Sequence, residues 1–136
     1  MQYFTLYYIM KNITNYISIY IACFFTMFIY SGFSKIKNFQ KKVSILESKT
    51  NLPYFINMFG MLLVMTLEVF GSIIMVLYFS NNKNISPRLT KLICRSFIVF
   101  IIVVTLLYHP PWGKRIPFLS NLTTLSGLLI INSLIE

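Results

Sequence analysis

Four long runs of apolar residues dominate this sequence, with lysine and arginine falling mainly between them. The runs cover residues 13–31, 54–79, 92–108 and 117–135. Each is close to the ~20 residues an α-helix needs to cross ~30 Å of hydrocarbon. Polar residues stand singly within the runs, so the backbone can satisfy its own hydrogen bonds as a helix. Barrel strands would instead alternate over about ten residues. Only 11 % of the 136 residues are charged, against about 25 % in soluble domains. Mean hydropathy is +0.72. Such a chain cannot clothe a water-facing surface, which excludes an ordinary soluble enzyme, a disordered tail and a disulfide-rich secreted module. The expected fold is all-α, an integral membrane four-helix bundle, with residues 1–136 forming a single multi-pass membrane domain.

The connections carry the charge. The net charge is +9, but no arginine-rich helix with interleaved aromatics is present, so no nucleic-acid partner is expected. The partner that the basic loops imply is the lipid bilayer. Residues 34–51 hold Lys35, Lys37, Lys41, Lys42 and Lys49 against Glu47, with Phe39, Val43 and Leu46 at helical spacing. That pattern predicts a short amphipathic surface helix. Residues 1–10 are aromatic and lack a charged start and a small-residue cleavage site, so they read as an interfacial segment or an extension of the first helix. Ser86-Pro87 marks a polar turn before the third run. We call X the face holding the first and third connections, and Y the face holding both termini and the second connection. Face X carries seven Lys/Arg and face Y five, a small excess on the X side that leaves the orientation open.

Glu68 is the most informative residue. It stands fourteen residues into the second run, near the bilayer midplane at 1.5 Å per residue. An acid there costs on the order of 3 kcal/mol on insertion scales and should face the bundle interior. At 100° per residue, Gly60, Val64, Leu67, Glu68, Gly71 and Met75 share an arc of roughly 100°. Small residues on that arc let a neighbouring helix approach, and Gly32 and Gly127 are the matching positions for packing on the first and last helices. Glu68 reads either as a proton-binding or ligand-binding carboxyl, or as a structural hydrogen-bond acceptor for another helix. Ser31, Lys35, His109 and Asn121 gather towards face X and complete the candidate polar site. The depth difference between Lys35 and Glu68 favours a water-linked pair over direct contact. His109 precedes Pro110-Pro111-Trp112, where an interfacial helix end is the plainer reading and a ligand or proton carrier the sharper one.

Several chemistries find no support. One histidine with scattered methionines does not supply paired haem ligands. Three Cys/His residues in all cannot fill a structural zinc site, and no metal is expected. Cys23 and Cys94 lie at different depths and form no CxxC pair. No phosphate loop or nucleophile elbow occurs. The sequons at Asn12, Asn84 and Asn121 are weak signals, and Asn121 lies inside a span.

The motifs resemble the DoxX family of four-helix membrane proteins. The resemblance rests on Ser31-Gly32-Phe33-Ser34-Lys35-Ile36 at the first helix exit and Leu52-Pro53 before the second helix. Glu68 with Gly71, His109-Pro110 and Phe118-Leu119-Ser120-Asn121-Leu122 leading to Gly127-Leu128-Leu129 complete it, over about residues 30 to 130. Two departures stand out: Val69 and Phe70 intervene between Glu68 and its small residue, and Ser126-Gly127 replaces a glycine pair. The resemblance implies a membrane subunit tied to quinone-linked oxidoreduction or oxidative stress, or in distant relatives a membrane chaperone or cargo receptor. No cofactor is evident in the residues themselves; a quinone is implied by the resemblance alone. With no catalytic motif, the expectation is a redox-associated membrane subunit or scaffold, partnered by a redox subunit or by further copies of itself. The rivals are a small proton-coupled transporter, in which Glu68 would bind a proton and a cation alternately, and a non-enzymatic chaperone or assembly factor. The inverted symmetry usual in such transporters is not evident.

Overall fold

The computed structural model describes residues 2–81 and 84–135, with side chains from residue 16 onward. Helix α1 runs Gln2–Lys37, α2 Phe39–Thr50, α3 Tyr54–Thr66, α4 Ser72–Phe79, α5 Pro87–Tyr108 and α6 Arg115–Leu134. Between α3 and α4 the second span passes without a break through a π-helical turn, Leu67–Gly71. Four stretches are long and apolar enough to cross a membrane: Tyr16–Lys37, Tyr54–Phe79, Pro87–Tyr108 and Arg115–Leu134. The chain is an integral, multi-pass, all-α membrane protein.

The second span has the bounds that its composition predicts, and the fourth lies within two residues of them. The first and third differ for one reason. Basic residues that look like connections are helical: Lys35 and Lys37 close α1, and Arg88, Lys91 and Arg95 occupy the opening turns of α5. A long basic side chain can keep its stem among apolar neighbours while its head finds a polar partner. Pro87 sits at the first turn of α5, where its missing N–H costs nothing. With α1 beginning at Gln2, the aromatic start of the chain extends the first helix.

Helix α2 is the predicted amphipathic helix. Val43 is fully buried, Phe39 and Leu46 are half-buried, and Lys41 and Lys49 are exposed. It ends on Asn51, whose left-handed φ of 54° suits asparagine, and whose N–H bonds back to the Glu47 carbonyl. Asn57, 3 % exposed, then ties α2 to α3. Its Nδ2 donates to the carbonyls of Leu52 (2.7 Å) and Pro53 (3.3 Å), and its Oδ1 accepts from the Thr50 hydroxyl at 2.8 Å. Asn57→Leu should therefore lower stability by about 1–2 kcal/mol, the usual cost of orphaning buried partners. Thermal melting of the purified protein measures this, and an unchanged melt would mean the turn holds without its asparagine.

Packing is uneven along the membrane normal. α1 packs along α4 and the π turn, and α5 along α6. Towards face Y the helices meet in a tight core, in which the rings of Phe25 and Phe28 lie 5.3 and 4.8 Å from that of Phe97. Met75, Cys94 and Leu128 fill the space beside them with no exposure. Towards face X the helices enclose a cavity of about 610 Å³.

Candidate functional site

The site begins with a close approach of two backbones. Gly32, buried on α1, lies against the π turn so tightly that a Cβ there would sit 2.6 Å from Val69 Cγ2 and 3.2 Å from Glu68 Cβ. The π turn takes in one more residue than an α turn does. Both Glu68 (2 % exposed) and its neighbour Val69 (7 %) are thereby buried on the inner side. Ser31 and Lys35 are four residues apart, hence on one face of α1, and they flank the glycine.

These placements produce a direct ion pair. Lys35 Nζ donates to Glu68 Oε1 at 2.7 Å and Oε2 at 2.8 Å, and to Ser31 Oγ at 2.7 Å. The Ser31 hydroxyl in turn donates to Glu68 Oε1 at 3.2 Å. The expectation of a water-linked pair is corrected by the direction of helical side chains, which lean towards the helix N-terminus. Because α1 stays helical to Lys37 and leaves the membrane at its C-terminal end, the stem of Lys35 points back into the bilayer. An ammonium has three protons to donate, and all three of Lys35 are taken. The network is closed on itself.

The glycines divide. A Cβ at Gly71 would meet Phe97 Cε2 at 3.1 Å and Ile93 Cγ2 at 3.2 Å, where the second span abuts α5. One at Gly127 would meet Phe24 Cε2 at 2.8 Å, where α6 abuts α1. At Gly60 nothing lies within 4 Å, which corrects its reading as a packing glycine: it lines the cavity and leaves space instead of closing it. The arc that placed Gly60 beside Gly71 assumed 100° per residue throughout, and the π turn breaks that phase.

Ser31, Lys35 and Glu68 form part of the cavity wall, and His109 and Asn121 line the same cavity without a hydrogen bond to the pair. Asn121 Nδ2 is buried and unpartnered. The polar lining residues that the sequence did not mark as site candidates include Lys42 on α2 and Asn57 on α3. Their signals were a lysine one residue before a buried valine and a lone polar residue one turn after Pro53. Much of the rest of the wall is apolar, with Met27, Phe28, Met61, Val64, Phe100 and Ile101. A cavity of this size and make-up has the character of a small-molecule site between helices of a bundle.

Among the described residues no group of three or more His, Cys, Asp and Glu could hold a metal ion. For the quinone implied by the resemblance, the walls suit an apolar tail and Asn121 could donate to a ring carbonyl. The charge suits it less well: a neutral ring brings no charge to the second cation, Lys42, which feels Glu68 through space without pairing with it. No protein-family model, curated protein or solved structure matches this chain.

Proposed function

We propose that this chain is a DoxX-like membrane subunit or scaffold of a redox-associated assembly, and that its X-side cavity holds a lipophilic molecule beside the Lys35–Glu68 pair. The observation carrying the ligand site is a buried ion pair set in the wall of an apolar cavity of about 610 Å³. An intramembrane carboxylate is a costly residue, and here it both fastens α1 to the π turn and forms part of a chamber. The redox association rests on the sequence resemblance alone. The closed network supports a positioning role for Glu68 in preference to the proton-and-cation exchange of a transporter, because every Lys35 proton is already committed.

Native mass spectrometry of the protein, extracted gently from its own membrane, tests both parts. The expected spectrum holds a bound lipophilic molecule together with a second, redox-active polypeptide. A chain with no bound small molecule would overturn the ligand site. A homo-oligomer carrying lipid alone would overturn the redox association and move weight to scaffolding or transport. Proton release on adding substrate, lost in Glu68→Gln, would then identify a carrier.

A further inference from the structure

We infer that the cavity takes a single-chain anionic amphiphile, a long-chain carboxylate or a lipid phosphate, with its head at Lys42 and its tail among the apolar walls. The inference rests on the cavity being a ligand site, as proposed above, and adds the charge and shape of the occupant.

The polar groups of the cavity set the charge of what it can hold. Its one carboxylate, Glu68, is matched by Lys35, and that pair shares its remaining bonds with Ser31. Lys42, half-buried on α2, is a second cation lining the same space. Lys35–Glu68 is the one ion pair among the described residues; Lys42 feels the Glu68 charge through space but is not paired with it, and that carboxylate is already bonded by Lys35. The buried Asn121 Nδ2 is a donor without an acceptor, and His109 adds an imidazole that can also donate. With the Tyr108 hydroxyl, which also lines the cavity, the groups on offer are one cation and three donors, and what answers them is an anion rich in acceptor oxygens. Hydrogen bonds between ionised partners are about twice as strong as neutral ones, and in a site walled by hydrocarbon they are weakly screened.

Shape agrees with charge. Lys42, His109 and Asn121 belong to the part of the bundle nearest face X, at α2, the end of α5 and the start of α6. Met27, Met61, Val64 and Phe100 lie further along their helices towards the membrane centre. The groups still able to bind are therefore at one end; deeper in, the charge of Glu68 is met by Lys35 and the remaining wall is apolar, which suits a molecule with one head and one tail. Met27 and Val103 line the cavity and are 52 % and 46 % exposed. The wall is therefore partly open to the surrounding bilayer, from which such a molecule would enter.

The test uses the full chain in phosphatidylcholine nanodiscs, titrated with oleate, methyl oleate, oleoyl lysophosphatidate and decylubiquinone. Oleate or lysophosphatidate is expected to bind on the order of tenfold more tightly than methyl oleate, the scale of one charge-assisted hydrogen bond. Lys42→Ala should cut that preference to about twofold or less, and Asn121→Leu should weaken the anions further, since each removes a charge or donor from the head site. Lys41→Ala, one residue away on the exposed face of α2, should leave the preference intact. A tighter oleate assigns a carboxylate head, and a tighter lysophosphatidate a phosphate head; both support the inference. Equal binding of oleate and its methyl ester, or equal effects of Lys42→Ala and Lys41→Ala, would overturn it. Binding of decylubiquinone alone would overturn the anionic occupant and leave the ligand site standing. If none of the four binds, both readings fall.

Discussion

Glu68→Leu is expected to destabilise the folded protein by about 3 kcal/mol or more, the scale for removing one partner of a buried ion pair. Leucine fits the space but leaves the Lys35 ammonium and the Ser31 hydroxyl facing hydrocarbon. Lys35 retains 19 % side-chain exposure, so part of its charge can find the headgroup region, which sets the effect at the lower end of the range. Glu68→Gln should cost clearly less, because the carboxamide oxygen still accepts from Lys35 and Ser31. The decisive comparison is Lys35→Met combined with Glu68→Leu. Removing both charges together should be milder than Glu68→Leu alone, since well-packed apolar pairs often replace buried ion pairs at little cost. Reversible unfolding in lipid micelles measures all three. A Glu68→Leu protein as stable as the parent would show that the carboxylate does not hold the helices together.

Gly32→Val is the second large effect, expected at about 3 kcal/mol, the upper part of the range for overpacking a filled interior. The first added carbon would arrive 2.6 Å from Val69 Cγ2. Val69 is a branched side chain inside the π turn, 7 % exposed, with no long arm to swing aside. Either α1 moves away from the turn or the turn deforms, and each lengthens the Lys35–Glu68 contact. Val69→Ala in the same chain should return part of the loss, an interaction that additive effects would not give. If the double variant is simply the sum of the two singles, the backbone approach at Gly32 is not what seats the ion pair.

Much of this fold is legible in the sequence because the bilayer allows so few alternatives. A run such as residues 54–79 has little option but a helix, and an acid at its middle has little option but the interior. The close approaches at Gly32, Gly71 and Gly127 follow the same logic. What could not be read from spacing was direction and phase. Whether Lys35 turns outward to the headgroups or inward to Glu68 depends on which end of α1 leaves the membrane and on how far the helix continues. The position of Gly60 depends on an irregular turn that periodicity assumes away. The cavity itself is a property of how five helices are spaced towards face X, α1 and α2 with α3, α5 and α6, and a one-dimensional pattern carries no measure of that spacing. Lys42 escaped notice for that reason: as sequence it is one of several loop lysines, and only the fold turns it towards the chamber.

The irregular turn at Leu67–Gly71 also bears on how this chain should be compared with others. The second span accommodates a residue there without completing an extra turn of helix. A protein with the same arrangement but a regular helix would need one residue fewer to bring the same faces to the same neighbours. Laid side by side, the two chains would match on either side of positions 67–71 and require a single-residue gap within them. An ungapped comparison would keep one half of the span in register and rotate the other by about 100°, matching inward residues with outward ones.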